Sequence, residues 1–276
     1  MARSLISVDE LVAISGDPAT RVVDCRWYLD EPEKGPFEYR QGHIPGAQYA
    51  SLDIDLSGED GPGRHPLPSP DAFADTLARF GVTASTPVVV YDDRGGSIAA
   101  RLWWMLTNQG HSNTSVLDGG IQAWTRHGHG ITTIEPDHLR GSYGTRPWRD
   151  VVDGAAVAAR PNDSLVMDAR SLERYRGDEE PVDPKAGHIP GAISVPQTEN
   201  LSADLTFLTP NELRSRFSDL GINGAKGDIA QCGSGVTACH NILAMEVAGI
   251  DRPLLYVGSW SDWSSDDRPV AIGDTP

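Results

Sequence analysis

Gly42-His-Ile-Pro-Gly-Ala47 recurs as Gly187-His-Ile-Pro-Gly-Ala192, 145 residues further along the chain. Working outward from that pair, three more matches appear. Upstream, Val22-Val-Asp-Cys-Arg26 returns as Val166-Met-Asp-Ala-Arg170, with Asp24 standing 144 residues from Asp168. Downstream, Ser69-Pro-Asp-Ala-Phe-Ala-Asp-Thr-Leu-Ala-Arg-Phe-Gly-Val82 pairs without a gap with Thr209-Pro-Asn-Glu-Leu-Arg-Ser-Arg-Phe-Ser-Asp-Leu-Gly-Ile222 at an offset of 140. Leu117-Asp-Gly-Gly-Ile-Gln-Ala-Trp124 then matches Tyr256-Val-Gly-Ser-Trp-Ser-Asp-Trp263 at 139. Four matches in one order, with drifting offsets, describe a duplication followed by insertions and deletions in loops. The period is far too long for a solenoid, so each copy is a domain. The cut falls in the Gly-rich, polar stretch from Asp137 to Pro147, which has no apolar periodicity. This gives copies over residues 1–138 and 139–276.

Within each copy, strands and helices alternate. Val88-Val-Val-Tyr91 and Asp228-Ile-Ala-Gln231 are short runs suited to buried strands. The matched segments before them read as helices, with Ser69 or Thr209 as N-cap and Pro70 or Pro210 at the first helical position. Phe73, Leu77 and Phe80 share one face, Leu213, Phe217 and Leu220 repeat it, and Gly81 and Gly221 stop the helices. The fold class is therefore α/β: two tandem domains, each a mostly parallel sheet flanked by helices. Reactive groups in such sheets collect at the carboxyl ends of the strands.

Composition narrows the function. The chain has 276 residues, 39% of them hydrophobic, enough for two packed cores. No apolar run approaches the roughly 20 residues needed to cross a bilayer. An early carboxylate at Asp9 argues against a signal peptide, so the expected location is the cytoplasm, with no membrane partner. Three cysteines are too few for a disulfide framework and leave at least one thiol free. A formal charge of −16 argues against nucleic-acid binding. It also means that an anionic substrate must be held by local positive groups.

In the gapless 140 register, Asp92 follows the strand in the first copy and Cys232 follows it in the second. Gly-rich loops come next, Asp93-Arg-Gly-Gly-Ser97 and Gly233-Ser-Gly235, and each runs into a helix, Ile98 to Thr107 and Val236 to Ala248. A cysteine between a strand end and a helix N-terminus can have successive N–H groups turned toward its sulfur, and the helix dipole favours negative charge there. Both effects favour a nucleophilic thiolate. The glycines let the backbone close in. The alternative is a small buried hydrophobe. Cys239, inside the following helix, and Cys25, beside Asp24, read as packing residues. No ligand-pair spacing links Cys232, Cys239 and His240 to a metal.

The paired copies, the two Gly-His-Ile-Pro-Gly-Ala elements and Cys232-Gly-Ser-Gly-Val-Thr-Ala238 resemble the tandem-domain rhodanese family of sulfurtransferases, from about Leu5 to Trp263. The resemblance implies a first domain that has lost its cysteine and a second that is catalytic, as Asp92 against Cys232 illustrates. The neutral loop is similar to that of the 3-mercaptopyruvate branch, whereas thiosulfate-preferring members carry basic residues where Gly233 and Ser234 stand here. The implied reaction moves sulfur from 3-mercaptopyruvate through a Cys232 persulfide to thioredoxin, a small thiol or cyanide, without metal or organic cofactor. Gly233, Gly235, Val236 and Thr237 would cradle the sulfur. Ser234 would relay a substrate proton, or serve only as a turn hydroxyl. By the same resemblance Arg174 holds the substrate carboxylate, and Trp27 lines the family's cleft. A second arginine, typical some nine residues later, is missing from Glu180-Pro-Val-Asp-Pro-Lys185, with Lys185 a weak replacement. The family's Asp-His-Ser relay would map onto Asp24, His43 and Ser234, although Asp168 and His188 repeat the first two and point to a role in the fold. Two rivals remain: a thiosulfate:cyanide sulfurtransferase on the same cysteine, and a non-catalytic sulfur-relay or binding module. A Cys-x5-Arg phosphatase does not fit, because Ala238 stands where the arginine would be.

Overall fold

A computed structural model describes residues 4–276. The described chain forms two compact units: residues 4–58, 68–149 and 203–207 make the first, and 59–67, 150–202 and 208–276 the second. Apart from the segments 59–67 and 203–207, the chain passes from the first unit to the second between Arg149 and Asp150. The polar stretch before that point is tied to the first unit: Gly141 N–H donates to the Ala78 carbonyl at 2.8 Å, and Asn108 exchanges hydrogen bonds with the Arg149 backbone. Two short arms, 59–67 and 203–207, each belong to the unit built mainly from the other half of the sequence.

In the first unit, β1 (Leu5–Ile6), β2 (Arg21–Asp24), β3 (Ala47–Tyr49), β4 (Val88–Tyr91) and β5 (Thr114–Leu117) form one sheet in the order β1-β5-β4-β2-β3. Its helices are α1 (Val8–Ser15), α2 (Lys34–Gln41), α3 (Leu52–Asp55), α4 (Pro70–Arg79), α5 (Ala99–Asn108) and α6 (Gly120–Arg126). In the second unit, β6 (Val151–Val152), β7 (Val166–Asp168), β8 (Ala192–Ser194), β9 (Ile229–Gln231) and β10 (Leu254–Tyr256) repeat that order as β6-β10-β9-β7-β8. Its helices are α7 (Gly154–Ala158), α8 (Leu172–Arg176), α9 (Pro210–Asp219), α10 (Ala238–Val247) and α11 (Ser259–Trp263). All pairings in both sheets are parallel. A parallel sheet covered on both faces needs apolar residues along its central strands. Val88 to Tyr91 and Ile229 to Gln231 are buried throughout.

The helix signals act as their chemistry dictates. Ser69 Oγ accepts from Ala72 N at 3.2 Å with Pro70 at the first helical position of α4, and Thr209 and Glu212 form a reciprocal capping box on α9. Phe73, Leu77 and Phe80 are buried in the first unit, as are Leu213 and Phe217 in the second. Leu220 departs from its expected face and is 36% exposed. The left-handed turn at Gly221 (φ +76°) directs Ile222 inward instead, and Ile222 N–H donates to the Phe217 carbonyl at 2.8 Å. Trp124 and Trp263 lie in the two cores.

The repeated Gly-His-Ile-Pro-Gly-Ala element is a structural lock in each unit. Both ring nitrogens of His43 face carbonyls, Tyr39 at 2.8 Å and Ile134 at 3.1 Å, and the ring stacks on Tyr39. His188 repeats the pattern with Tyr175 and Thr275. Asp24 is clamped by Arg26, whose guanidinium also donates to Gly42 O; Asp168, Arg170 and Gly187 O do the same in the second unit.

Candidate active site

The loop after β4 shows what this turn does with an anion. Asp92 is 1% exposed and its carboxylate accepts four backbone N–H groups: Arg94 and Gly96 on Oδ1, both at 2.8 Å, and Ile98 and Ala99 on Oδ2, at 2.7 and 2.9 Å. Four amides on one carboxylate make an anion hole at the mouth of α5. The neighbouring turn adds Ile121 N–H, which donates to Asp92 O at 3.1 Å.

Cys232 takes the same place after β9, and Trp260 N–H donates to its carbonyl at 2.9 Å, as Ile121 does to Asp92. Cys232 N–H donates to Ser259 Oγ at 3.1 Å, and Gly233 O accepts from Ser261 N at 2.9 Å. The strand end is thereby pinned to the start of α11. Gly235 has φ +74°, and a Cβ there would meet Val257 O at 2.4 Å, so only glycine fits. The loops differ one residue later, where Gly96 is left-handed and Val236 is not. Among the described residues, the amides of Gly233, Ser234, Val236, Thr237 and Ala238 donate to no protein acceptor. The first loop spends its amides on a built-in carboxylate; the second leaves them beside a thiol.

Polar side chains gather around this loop within the second unit. Ser234 Oγ lies 2.7 Å from His65 Nδ1, and both residues are buried. His65 and Arg64 come from the arm 59–67. The arm is seated closely: a Cβ on Gly63 would meet Gly258 O at 2.4 Å, and Arg64 N–H donates to Ser261 Oγ at 3.0 Å. Arg174, on α8, donates through Nη2 to Glu180 at 2.7 Å and Asp183 at 3.0 Å, while Arg64 Nη1 donates to the other oxygen of Asp183 at 2.8 Å. Arg174 Nη1 and Arg64 Nη2 each lie 3.4 Å from where a Gly233 Cβ would stand. Arg170 packs over the Trp260 ring. Burial alone would lower its pKa, but Asp168, then Glu180 and Cys232, more than reverse this and raise it, so Arg170 carries a fixed positive charge.

Several expected site residues have other duties. All polar atoms of the Asp24 carboxylate and the His43 ring are engaged inside the first unit: Asp24 by Arg26 and Tyr91, His43 by its two carbonyls. The histidine on Ser234 is His65, not His43. Trp27 is half-buried and donates its indole N–H to Asp53 at 2.8 Å. Lys185 donates to the Asp266 carbonyl, and the other guanidinium near Gly233 besides that of Arg174 belongs to Arg64. Cys239 is fully buried and its thiol reaches Gly235 O at 3.4 Å; Cys25 is also fully buried. Both of these are packing residues. His65 escaped the sequence reading because its arm has no apolar period. In the 140 register the other copy has Leu205 in its place, so repetition gave no signal for it.

Fold and site together define a duplicated α/β protein with one carboxylate-filled and one thiol-bearing anion loop. Comparison with known proteins gives this class its family. The model of the rhodanese-like domain matches twice, over residues 7–127 and 154–266. A probable 3-mercaptopyruvate sulfurtransferase of Pseudomonas aeruginosa is 42% identical over 280 residues, covering 98% of each chain. A putative thiosulfate sulfurtransferase, SseB of Mycobacterium tuberculosis, is 44% identical, covering 98% of this chain and 97% of that protein. The crystal structure of SseA from Escherichia coli, described as a 3-mercaptopyruvate sulfotransferase, superposes with a TM-score of 0.83 at 31% identity, covering 94% of this chain and 100% of that one. The chain belongs to the rhodanese family, and it is a sulfurtransferase. Among the described residues, no helix is long and apolar enough to cross a membrane.

Proposed function

We propose that this enzyme takes sulfur from 3-mercaptopyruvate onto Cys232 and passes it, as the outer sulfur of a persulfide, to a thiol or to cyanide. One observation carries the reading. The turn that holds the Asp92 carboxylate with four amides has its counterpart around Cys232, where, among the described residues, the matching amides of Ser234, Val236 and Ala238 donate to no protein acceptor and that of Cys239 donates to Val236 O. Such amides stabilise a thiolate before transfer and a persulfide anion after it.

In the first half-reaction the Cys232 thiolate attacks the donor sulfur, a sulfur–sulfur bond forms, and the carbon–sulfur bond breaks. Its electron pair leaves on carbon as the enolate of pyruvate. The proton from the donor thiol passes to Ser234, backed by His65, and returns to the enolate carbon, so charge and protons balance. Arg174 holds the donor carboxylate. In the second half-reaction an acceptor thiolate or cyanide attacks the outer sulfur and Cys232 leaves as thiolate. Gly233, Gly235, Val236 and Thr237 supply the cradle.

The name carried by the Mycobacterium tuberculosis relative favours thiosulfate as a second donor reading. Charge around the site weighs against it. Three guanidiniums (Arg64, Arg170, Arg174) face three carboxylates (Asp168, Glu180, Asp183), which leaves no surplus cation for a dianion. Rates with both donors decide between them: kcat/KM for 3-mercaptopyruvate should exceed that for thiosulfate by at least about tenfold, and the reverse order would overturn the donor. Cys232→Ser should abolish pyruvate release while keeping its circular dichroism spectrum.

A further inference from the structure

Arg64 has no part in the family pattern read from the sequence, yet its guanidinium converges with that of Arg174 on Gly233, the residue that follows the nucleophile. One carboxylate, Asp183, bridges the two heads, with Oδ1 on Arg64 Nη1 at 2.8 Å and Oδ2 on Arg174 Nη2 at 3.0 Å. The Asp183 side chain is only 3% exposed, so this bridge is a fixed frame. It leaves particular N–H groups over. Arg64 Nε is buried without an acceptor, and Arg64 Nη2 and Arg174 Nη1 donate to no acceptor among the described residues. Both Nη atoms stand 3.4 Å from the Gly233 Cβ position, so a side chain on that residue would fill the space between them.

We propose that Arg64 is a second substrate-binding guanidinium, closing with Arg174 over Gly233 a clamp for the carboxylate of the sulfur donor. This rests on the donor reading given above and deepens it. A planar carboxylate presents two oxygens to such a pair of forks, and charge-assisted N–H bonds to it are short and directional. A group bearing further negative charge would meet Glu180 and Asp183 as well as the arginines, so the clamp selects a monoanionic donor. The arm 59–67 is therefore a specificity element: it brings Arg64 to the donor's carboxylate and His65 to Ser234 from consecutive positions.

Alkylation of Cys232 by iodoacetate and by iodoacetamide isolates the clamp from sulfur chemistry. In both, the thiolate forms the sulfur–carbon bond and iodide leaves with the electron pair; only the carboxylate of the reagent differs. Peptide mapping identifies the modified cysteine, and the full chain is used throughout. Arg64→Gln should slow iodoacetate about tenfold, the loss of one charge-assisted contact, and change the iodoacetamide rate less than about twofold. Arg64→Lys retains the charge beside Asp183 but not the fork. It should fall between wild type and Arg64→Gln, and it supplies the reading if the glutamine variant melts out. An unchanged ratio of the two rates, or an equal fall in both, overturns the clamp. If wild type shows the iodoacetate bias, Arg64→Gln loses it, and 3-mercaptopyruvate still loads no sulfur, the clamp stands and the donor assignment fails.

Discussion

Burial pushes the Cys25 thiol well above its ordinary pKa, and the carboxylates of Asp24, Asp92 and Asp55 push it further in the same direction. Such a thiol is protonated at neutral pH and inert. Cys239 is a helix residue with its sulfur on a carbonyl. Of the three, Cys232 alone sits in the turn that matches the Asp92 loop, and this environment supports it as the proposed nucleophile. The histidine beside Ser234 is the residue that the sequence did not point to. His43 was conspicuous because it belongs to a repeated motif, but repetition in both copies marks a residue that serves the fold. His65, one step from Ser234, is unique to one copy and lies between Gly63 and Pro66 on an arm without periodicity, so only tertiary structure reveals it. His65→Gln should lower kcat with 3-mercaptopyruvate by roughly 10- to 100-fold while changing KM less than about threefold. Unchanged kcat would remove His65 from the proton route.

At the scale of elements, strand, glycine-rich turn and helix form one device used twice. In the first unit its amides hold Asp92, and the account makes this a stabilising use. Asp92→Ala would orphan four buried donors, and chemical denaturation should show a loss of about 3 kcal/mol or more. Asp92→Asn, which keeps one acceptor oxygen, should lose less. A change in Asp92→Ala below about 1 kcal/mol would mean that the amides find other partners, and would weaken the analogy with the Cys232 loop. The elements were the most legible part of the sequence, because N-caps, proline starts and apolar faces are local signals. Where locality ended, so did the reading: Leu220 continues the helical period but falls beyond the last turn, where Gly221 hands its buried place to Ile222.

For the molecule as a whole, duplication explains both the common framework and the division of labour. Strand order is identical in the two sheets, and the histidine and Asp-Arg locks are repeated side chain for side chain. The drifting offsets made this legible from sequence alone. The arms 59–67 and 203–207 were not legible, because membership of a unit is decided by long-range packing, although the two occupy matching places just before the paired helices α4 and α9. The chain carries a formal charge of −16, so on the proposed function donor capture falls to the local cluster of Arg64, Arg170 and Arg174 with its carboxylates. In the proposed function the free N–H groups of that cluster hold the donor carboxylate and the loop amides hold the sulfur. Intact-protein and peptide mass spectrometry after exposure to 3-mercaptopyruvate without acceptor reads that step directly. The account predicts a gain of one sulfur atom, located on Cys232, with pyruvate released in equal amount and the sulfur discharged by added cyanide. Pyruvate release with no sulfur on Cys232, or sulfur on Cys25 or Cys239 instead, would contradict it.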